Sequence, residues 1–208
     1  MKNIVVLVSG GGTNLQALID AEKSGIIKNG KITCVISSNP NAYALERAKI
    51  NNIDTDIIRR KDFKEFSDYD KALTELLNSK NADLIVLAGF MTILGGEVIK
   101  EFKNRIINIH PALIPSFCGE GFYGLKVHEK ALEKGVKLTG ATAHFVTEVC
   151  DGGPIIIQKA VEIKNGDTPE ILQKRVMEQA EWKILPEAVS LFCEDKIKVI
   201  GNKTEILK

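Results

Sequence analysis

The chain has 208 residues, 44% of them hydrophobic and 26% charged, so it is long enough to bury one well-packed core. Its 28 basic residues against 27 acidic ones leave a net charge of +1. That balance excludes a whole-molecule field that would attract nucleic acid or an anionic membrane, so any anionic ligand must be held by a local site.

Apolar runs and cysteines bear on where the protein resides. The apolar N-terminal stretch is too short for a signal sequence, and no later run approaches the ~18 apolar residues that a membrane span needs. The four cysteines form no CxxC pair, and with only three histidines the sequence offers no metal-ligand cluster. We therefore expect a cytoplasmic protein with reduced thiols, no metal, no membrane contact and no nucleic-acid partner.

The first half of the chain repeats one unit, a β-branched apolar run followed by a helical pattern. This repeat is typical of parallel strands joined by crossover helices. Strands are predicted at 4–8, 32–36, 53–58, 83–88 and 105–109, and helices at 14–23, 42–51, 68–78 and 96–102. We expect an α/β fold with an open, mostly parallel, twisted sheet and helices on both of its faces.

The second half has a different texture. Residues 116–124 read as a loop, residues 127–134 as a short helix, and residues 138–146 and 154–163 as two strands. The connection between those strands is too short for a crossover, which predicts an antiparallel element. A long helix opens at Thr168-Pro169, where we expect Pro186 to kink or divide it, and residues 197–200 could form an edge strand. The whole of 1–208 is predicted to be a single domain.

A glycine-rich turn, Ser9 to Leu15, joins the first strand to the first helix. Glycines at such a turn let backbone amides close around an anion at a helix N-terminus. The segment lacks the third glycine and the acidic ribose ligand of a dinucleotide site, and it lacks the Gly-Lys-Ser/Thr of a P-loop. The remaining ligand for this turn is a single phosphate monoester, held by Gly12, Thr13 and Asn14. The alternative is that the segment binds nothing and only forms a tight turn with a helix cap.

Asn108 and His110 occupy the end of the fifth predicted strand. They lie two residues apart, so both side chains project from the same face of the sheet. A carboxylate that reached His110 would orient the imidazole and raise its pKa, and Asp151, in the Asp-Gly-Gly-Pro turn, is the candidate. The alternatives are that Asn108 and His110 only satisfy loop backbone and that Asp151 only forms a turn.

Residues 87–94 and two further histidines are other candidates for a functional role, and ordinary packing or solvent exposure is the alternative for each. Residues 87–94 follow the fourth strand and are apolar apart from Thr92, which suits a flat heteroaromatic ligand or a plain core. His144 alternates with apolar residues on a predicted strand, which favours a supporting or core role over direct catalysis. His128 lies on a short charged helix, and we expect it to be solvated.

Several ordered motifs together resemble the phosphoribosylglycinamide formyltransferases, folate-dependent enzymes of purine synthesis. The match runs over nearly the whole chain. The motifs are Ser9-Gly10-Gly11-Gly12-Thr13-Asn14-Leu15-Gln16-Ala17, Leu87-Ala88-Gly89-Phe90-Met91, Asn108-Ile109-His110-Pro111-Ala112-Leu113-Ile114-Pro115, His144-Phe145-Val146-Thr147 and Asp151-Gly152-Gly153-Pro154-Ile155.

The resemblance implies formyl transfer from 10-formyltetrahydrofolate to the amine of glycinamide ribonucleotide, by a monomer or homodimer. It implies a Rossmann-like fold with a nucleotide half at 1–104 and a catalytic, folate-cleft half at 105–208. The implied site residues are catalytic Asn108, His110 and Asp151, phosphate-binding Gly12, Thr13 and Asn14, folate-binding Met91, Thr92, Ile93, Leu94 and Asn108, and Glu181 at the ribose.

Two positions depart from the pattern of that family. Thr92 stands where a basic residue is common, and Phe66 aligns near a frequent arginine. Two other functions stay open on the sequence alone, a formyltetrahydrofolate hydrolase-like enzyme and a non-catalytic protein that binds a phosphate metabolite. Asn108, His110 and Asp151 argue against the second of these, because a binding protein needs none of them.

Overall fold

The computed structural model describes residues 1–207. Seven of its strands form one sheet: β1 Lys2–Val8, β2 Gly30–Ser37, β3 Asp54–Ile57, β4 Leu84–Leu87, β5 Ile106–His110, β6 Leu138–Phe145 and β7 Ile155–Glu162. Their spatial order is β3-β2-β1-β4-β5-β6-β7. The first five strands are parallel, whereas β6 and β7 pair antiparallel, as the sequence predicted.

Helices cover both faces of this sheet. They are α1 Thr13–Lys23, α2 Tyr43–Ile50, α3 Phe66–Ser79, α4 Gly96–Glu101, α5 Leu125–Lys134, α6 Pro169–Val176 and α7 Trp182–Cys193. In β1, Ile4, Val6 and Val8 pack into a core shared with α1, α2, α6 and α7. Val5 and Leu7 point to the opposite core, which α3 and α4 close. The β-branched run of β1 is thus buried on both sides, which explains its uninterrupted apolar sequence.

The chain reverses direction across the sheet beside β1. It runs outward from β1 through β2 to β3, then returns to place β4 on the other side of β1. Loops that follow the two adjacent strands at such a point splay apart and leave a crevice at the carboxyl ends. The backbone amide of Met91, after β4, donates a 2.9 Å hydrogen bond to Ser9 Oγ, after β1. This bond ties the two loops together at the base of the crevice.

The division of the C-terminal helix does not lie at Pro186. A π-helical turn at Met177–Glu181 separates α6 from α7, and Pro186 sits inside α7. Proline removes the amide that would bond the carbonyl one turn earlier, and here that carbonyl belongs to Trp182, the first residue of α7. The missing bond therefore falls at the junction that the π turn already interrupts, so α7 continues through the proline.

The tail of the chain forms a hairpin rather than an edge strand of the main sheet. Ile197–Ile200 (β8) pairs antiparallel with Lys203–Ile206 (β9) in a separate two-stranded sheet. Gly201, at φ +59°, supplies the left-handed backbone of the turn. Thr204 Oγ1 donates to the Ile155 carbonyl at 2.7 Å and ties the hairpin to the start of β7. Within residues 1–207, the helices are too short or too polar to cross a membrane.

Candidate active site

Asn108 and His110 lie at the carboxyl end of strand β5, at the carboxyl-terminal edge of the sheet. Their neighbours Ile107 and Ile109 belong to the core beneath α1 and α7, so the two polar side chains point to the other face. His110 is buried, with 4% of its surface exposed, and Asn108 is half-buried. β5 pairs with the parallel β4 on one side, so the loop after β4 lies beside this point. On the other side it pairs with the antiparallel β6, whose last residue Phe145 lies opposite Ile107, so the loop after β6 must fold back to reach His110.

Asp151 reaches both of these side chains from the loop between β6 and β7. Its Oδ2 lies 3.5 Å from His110 Nδ1, and its Oδ1 lies 3.5 Å from Asn108 Nδ2. The backbone of Asp151 is left-handed, at φ +53°, a conformation that a non-glycine residue rarely holds without a reason. Asp151 forms the turn, as composition suggested, and its inward carboxylate also contacts the imidazole.

Gly153 fixes this loop close to the sheet. A Cβ atom at Gly153 would lie 1.8 Å from the Phe145 carbonyl oxygen, so a larger residue would force the loop away from β6. The Phe145 amide donates to the Pro154 carbonyl at 2.9 Å, which closes the loop. The glycine in the Asp-Gly-Gly-Pro turn therefore sets the distance between Asp151 and strand β5.

His144 is a supporting residue beside Asn108, as the sequence favoured. It lies directly opposite Asn108 across the β5–β6 ladder. Its Nδ1 is 2.9 Å from the Phe145 carbonyl oxygen, so Nδ1 carries the proton and Nε2 is free to accept. Asn108 Nδ2 donates to that Nε2 at 3.2 Å. The Asn108 amide is thereby held with one N–H on His144 and the other directed toward Asp151.

The pKa of His110 differs from the sequence expectation. Burial lowers the pKa of His110, and it outweighs the opposing effects of the Asp151 carboxylate and of a bond to the Phe117 carbonyl. The influence of Asp151 has the expected sign, but the net direction is downward, because an imidazolium loses more hydration here than its partners restore. The resting imidazole is therefore neutral at neutral pH. Its Nε2 donates to Phe117 O at 2.8 Å, which leaves Nδ1 unprotonated and facing Asp151.

Asp151 is held in its ionised form. Burial alone would raise the pKa of its carboxyl, but the His144 ring at 3.6 Å, the nearby His110 and the Gly119 amide together bring it below the usual value. The Gly119 N–H donates to Asp151 Oδ2 at 2.9 Å. A carboxylate and a neutral imidazole with a bare Nδ1 thus face each other, and the pair can accept a proton at either group.

The expectation that His128 is solvated was wrong. It lies in α5 with no exposed surface, and neither ring nitrogen has a hydrogen-bond partner among the described residues. Burial, with a smaller effect from His110, lowers the pKa of His128 to about 4, so the ring is neutral. The helical periodicity of Val127, His128 and Ala131 places all three on the inward face of α5, and the charged residues around them concealed this.

The glycine loop leaves the start of α1 open. Gly12, at φ +72°, precedes Thr13, and no side chain caps the first amides of the helix. A Cβ at Gly12 would lie 2.6 Å from Ala44 Cβ, so packing on α2 as well as backbone conformation requires glycine there. Cβ atoms at Gly10 and Gly11 would meet nothing within 4 Å. Uncapped amides beside open space suit an anion.

Asn14 and Glu181 are brought together by the structure. Asn14 Nδ2 donates to Glu181 Oε2 at 2.7 Å, and both residues are buried. Burial raises the pKa of Glu181 to about 7, although the Asn14 bond works against the rise. The Asn14 amide is thus engaged with the C-terminal helical region rather than with the glycine loop, while Thr13 remains exposed at the loop. Roles for Asn14 at a phosphate and for Glu181 at a ribose stay predictions.

The segment after β4 forms an apolar ledge beside Asn108. Met91 and Ile93 are 56% and 72% exposed, Thr92 is half-buried, and Leu94 is buried against the α3–α4 side of the sheet. Leu87 pairs with Asn108 in the ladder, so the ledge begins one strand away from the catalytic candidates. Exposed apolar side chains at this position suit a flat heteroaromatic ring.

Near the ledge, Phe66 occupies the first turn of α3 where an arginine was expected. The Arg60 guanidinium lies 5.6 Å from the centroid of the Phe66 ring, so a cation is present at this position although it comes from another segment. Among residues 1–207, no group of three or more His, Cys, Asp or Glu side chains is arranged to hold a metal ion.

Comparison with known proteins agrees with this geometry. Residues 2–189 match the formyl transferase family. The phosphoribosylglycinamide formyltransferase of Haemophilus influenzae is 42% identical over 202 residues, which are 97% of this chain and 92% of that protein. The crystal structure of glycinamide ribonucleotide transformylase 1 from Symbiobacterium toebii superposes with a TM-score of 0.94 at 42% identity, covering 100% of this chain and 95% of the other.

A second solved structure is that of an enzyme with a related activity. The formyltetrahydrofolate deformylase from Pseudomonas syringae pv. tomato superposes with a TM-score of 0.87 at 30% identity, and the match covers all of this chain but 66% of that one. The sequence match and the shared arrangement of the sheet together show that this chain belongs to the formyl transferase family.

Proposed function

We propose that this protein transfers the formyl group of 10-formyltetrahydrofolate to the amine of glycinamide ribonucleotide, a step of purine synthesis. The observation that carries the proposal is the contact of Asp151 with both His110 and Asn108 at 3.5 Å. In a member of this family, these contacts support a role for the three side chains in stabilising an oxyanion and moving a proton.

The reaction creates negative charge on one oxygen and removes one proton from one nitrogen. The substrate amine attacks the formyl carbon, and a tetrahedral centre forms whose oxygen becomes anionic. The centre then collapses and releases the folate nitrogen, which takes up a proton. One proton leaves the attacking nitrogen and one arrives at the leaving nitrogen, so the enzyme needs a proton carrier but no external acid or base.

Each member of the trio has a distinct task in this scheme. Asn108 turns the N–H that is directed toward Asp151 in the resting site, at 3.5 Å, to the developing oxyanion, while its other N–H stays on His144. Asp151, ionised before the reaction, accepts the proton of the attacking nitrogen directly or through one water. The proton that Asp151 accepts can pass to Nδ1 of the neutral His110, which lies 3.5 Å from Asp151 Oδ2. The imidazolium so formed donates a hydrogen bond to the oxyanion and gives up this same proton to the leaving folate nitrogen when the centre collapses. A donor of this kind typically contributes ~3–4 kcal/mol.

The two substrates fit the two ends of the crevice. The open glycine loop with exposed Thr13 suits the phosphate of the ribonucleotide. The ledge of Met91 and Ile93 suits the pteridine ring, and its exposure leaves room for a flat ligand beside Asn108. The amine and the formyl group would then meet at the end of β5.

A spectroscopic assay of folate deformylation, with and without glycinamide ribonucleotide, tests the proposal. We expect turnover that requires the ribonucleotide and yields its formyl derivative. Equal turnover in the absence of the ribonucleotide would support the hydrolase, which the likeness to the Pseudomonas syringae deformylase makes the second candidate. No turnover under any condition would favour a protein that only binds a phosphate metabolite.

A further inference from the structure

One short segment of the loop after β5 contacts both titratable members of the trio through its backbone. The Phe117 carbonyl accepts from His110 Nε2 at 2.8 Å. Two residues later, the Gly119 N–H donates to Asp151 Oδ2 at 2.9 Å. A carbonyl can only accept and an amide can only donate, so neither contact can reverse its polarity. The segment therefore holds a proton on His110 Nε2 and favours the carboxylate form of Asp151.

The backbone that presents these two groups is unusual at both positions. Phe117 has φ +50° and Gly119 has φ +89°. A left-handed phenylalanine is an unfavourable conformation that persists only where the surrounding contacts hold it. The Phe117 ring lies 6.4 Å from the Phe122 ring, and Cys118 Sγ donates to the Pro115 carbonyl at 3.3 Å, so local contacts hold the segment in this form.

We infer that Phe117 and Gly119 are positioning residues for the reaction, whose carbonyl and amide fix the proton on His110 Nε2 and keep Asp151 as a carboxylate. The inference rests on the catalytic roles proposed for His110 and Asp151. It goes beyond them by assigning the orientation of His110 to the loop backbone. When the segment is in place, Nδ1 is the one ring nitrogen open to the reaction.

Other groups that face this pair come from each neighbouring element. Titratable side chains around Asp151 and His110 are His144 from β6, His128 from α5, and the thiols of Cys118 and Cys150 from the two loops. Burial raises the pKa of both thiols, so they stay uncharged near neutral pH. His128 is neutral as well, so the polar groups that act on the pair are the His144 ring and the backbone contacts of residues 117 and 119.

Gly119→Ala tests the inference, and Gly121→Ala is its matched control. Both glycines have positive φ, at +89° and +84°, and a Cβ at either would meet nothing within 4 Å, so the two variants carry a similar backbone strain. The Gly119 amide bonds Asp151, whereas Gly121 is exposed and makes no such contact. In Gly119→Ala the amide turns away, so the pKa of Asp151 rises.

We expect Gly119→Ala to lower kcat about tenfold or more, to leave the KM for the ribonucleotide within about threefold, and to move the acid limb of the kcat profile to higher pH. Gly121→Ala should leave kcat and the profile unchanged. Identical kcat and pH profiles for the two variants would overturn the inference, whereas an active Asp151→Asn enzyme would refute the proposed catalytic roles themselves.

A measurement on the unaltered protein makes the test independent of how the variants fold. Nitrogen-15 NMR of the histidines, at a pH where His110 is neutral, distinguishes the two tautomers. We expect the Nε2–H form of His110, because the Phe117 carbonyl accepts that hydrogen. A predominant Nδ1–H form would contradict the inference even if both glycine variants failed to fold.

Discussion

His144 shows how a residue with no proposed substrate contact can orient one, Asn108, that we propose contacts the substrate. An asparagine amide has two N–H bonds and can rotate, so without a fixed acceptor it presents either its oxygen or its nitrogen to the reacting carbon. His144 Nδ1 faces the Phe145 carbonyl, which makes Nε2 a permanent acceptor for Asn108. The Asn108 nitrogen, rather than its oxygen, is thereby turned toward the site.

Replacing His144 by leucine should therefore impair turnover more than binding. Leucine fills a similar apolar volume but cannot accept, so the Asn108 amide loses its fixed orientation. We expect kcat to fall about tenfold, equivalent to ~1.4 kcal/mol, with the KM for each substrate within about threefold. Steady-state kinetics with both substrates provides the measurement. A change confined to KM would show that His144 supports binding and not orientation.

Some residues of the candidate site could be predicted from the sequence, and others could not. Asn108 and His110 stand out because polar side chains at the end of an apolar strand are uncommon, and Asp151 stands out only once the motifs are combined. The contributions of Phe117 and Gly119 could not be predicted, because both act through backbone groups and any residue type carries those groups. The prediction that His128 is exposed was wrong because most residues of its helix are charged, and the short apolar stripe that includes His128 was not recognised.

At the scale of elements, Asp70 joins two helices beside the apolar ledge that carries Met91 and Ile93. It lies in α3 and is buried, and its carboxylate accepts from the Gly95 amide at 3.0 Å and the Glu97 amide at 2.8 Å. These amides begin α4, which has no cap from its own sequence. Asp70 thus caps α4 from a neighbouring helix, and it fixes the C-terminal end of the segment that carries Met91 and Ile93.

Asp70→Ala should destabilise the protein by about 2–3 kcal/mol, because two amides lose a charged acceptor in a buried place. Glu75→Ala is the control, since Glu75 lies in the same helix, carries the same charge and is exposed. We expect the control to change the free energy of unfolding by less than about 0.5 kcal/mol. Chemical denaturation of both variants measures the difference, and equal effects would contradict a capping role for Asp70.

Helices and strands could be predicted from the sequence where their hydrophobic pattern was strong. Strands β1, β2, β4 and β5 have apolar residues on both faces, and their runs stand out from the helical pattern between them. The edge strand β3, Asp54–Ile57, is polar and gave a weaker signal. The prediction for the C-terminal helix was wrong. Pro186 suggested a break, but the helix is interrupted before it, in the π turn at Met177–Glu181. The β8–β9 hairpin was missed as a hairpin, since Lys203–Ile206 has little apolar alternation.

At the scale of the whole molecule, Glu181 couples stability to pH. The raised pKa of about 7 in the folded state compares with 4.5 for the free side chain. Between these values the unfolded chain has released the proton and the folded protein retains it, so the folded state binds more protons. Stability therefore falls as pH rises from about 4.5 to 7, and is constant with respect to this group outside that window.

Glu181→Gln should remove this dependence while keeping an oxygen that accepts from Asn14. We expect the variant to match the parent protein near pH 4.5 and to be more stable above pH 7, by roughly 3 kcal/mol at most. The measurement is the difference in free energy of unfolding between the two proteins across this range. A difference that does not change with pH would show that Glu181 is ionised in the folded state.

The arrangement of the whole sheet explains why these distant segments meet. Residues 12–14 and 91–94 follow β1 and β4, residues 108–110 end β5, and residue 151 follows β6, so the four segments are far apart in sequence. Parallel strands and a reversal beside β1 bring the first three segments to one edge. Sequence order alone predicted a common edge for the parallel strands, but the distance between Asp151 and His110 depends on the antiparallel β6 and required the structure.

The central claim is that Asp151 moves the proton in formyl transfer, and kcat of Asp151→Asn as a function of pH tests it most directly. Asparagine preserves size and can still accept from Gly119, but it cannot take a proton. We predict a loss of about 10²–10³ in kcat with KM within about threefold, and disappearance of the acid limb of the profile. A kcat within about threefold of the parent enzyme, with the acid limb intact, would contradict the account.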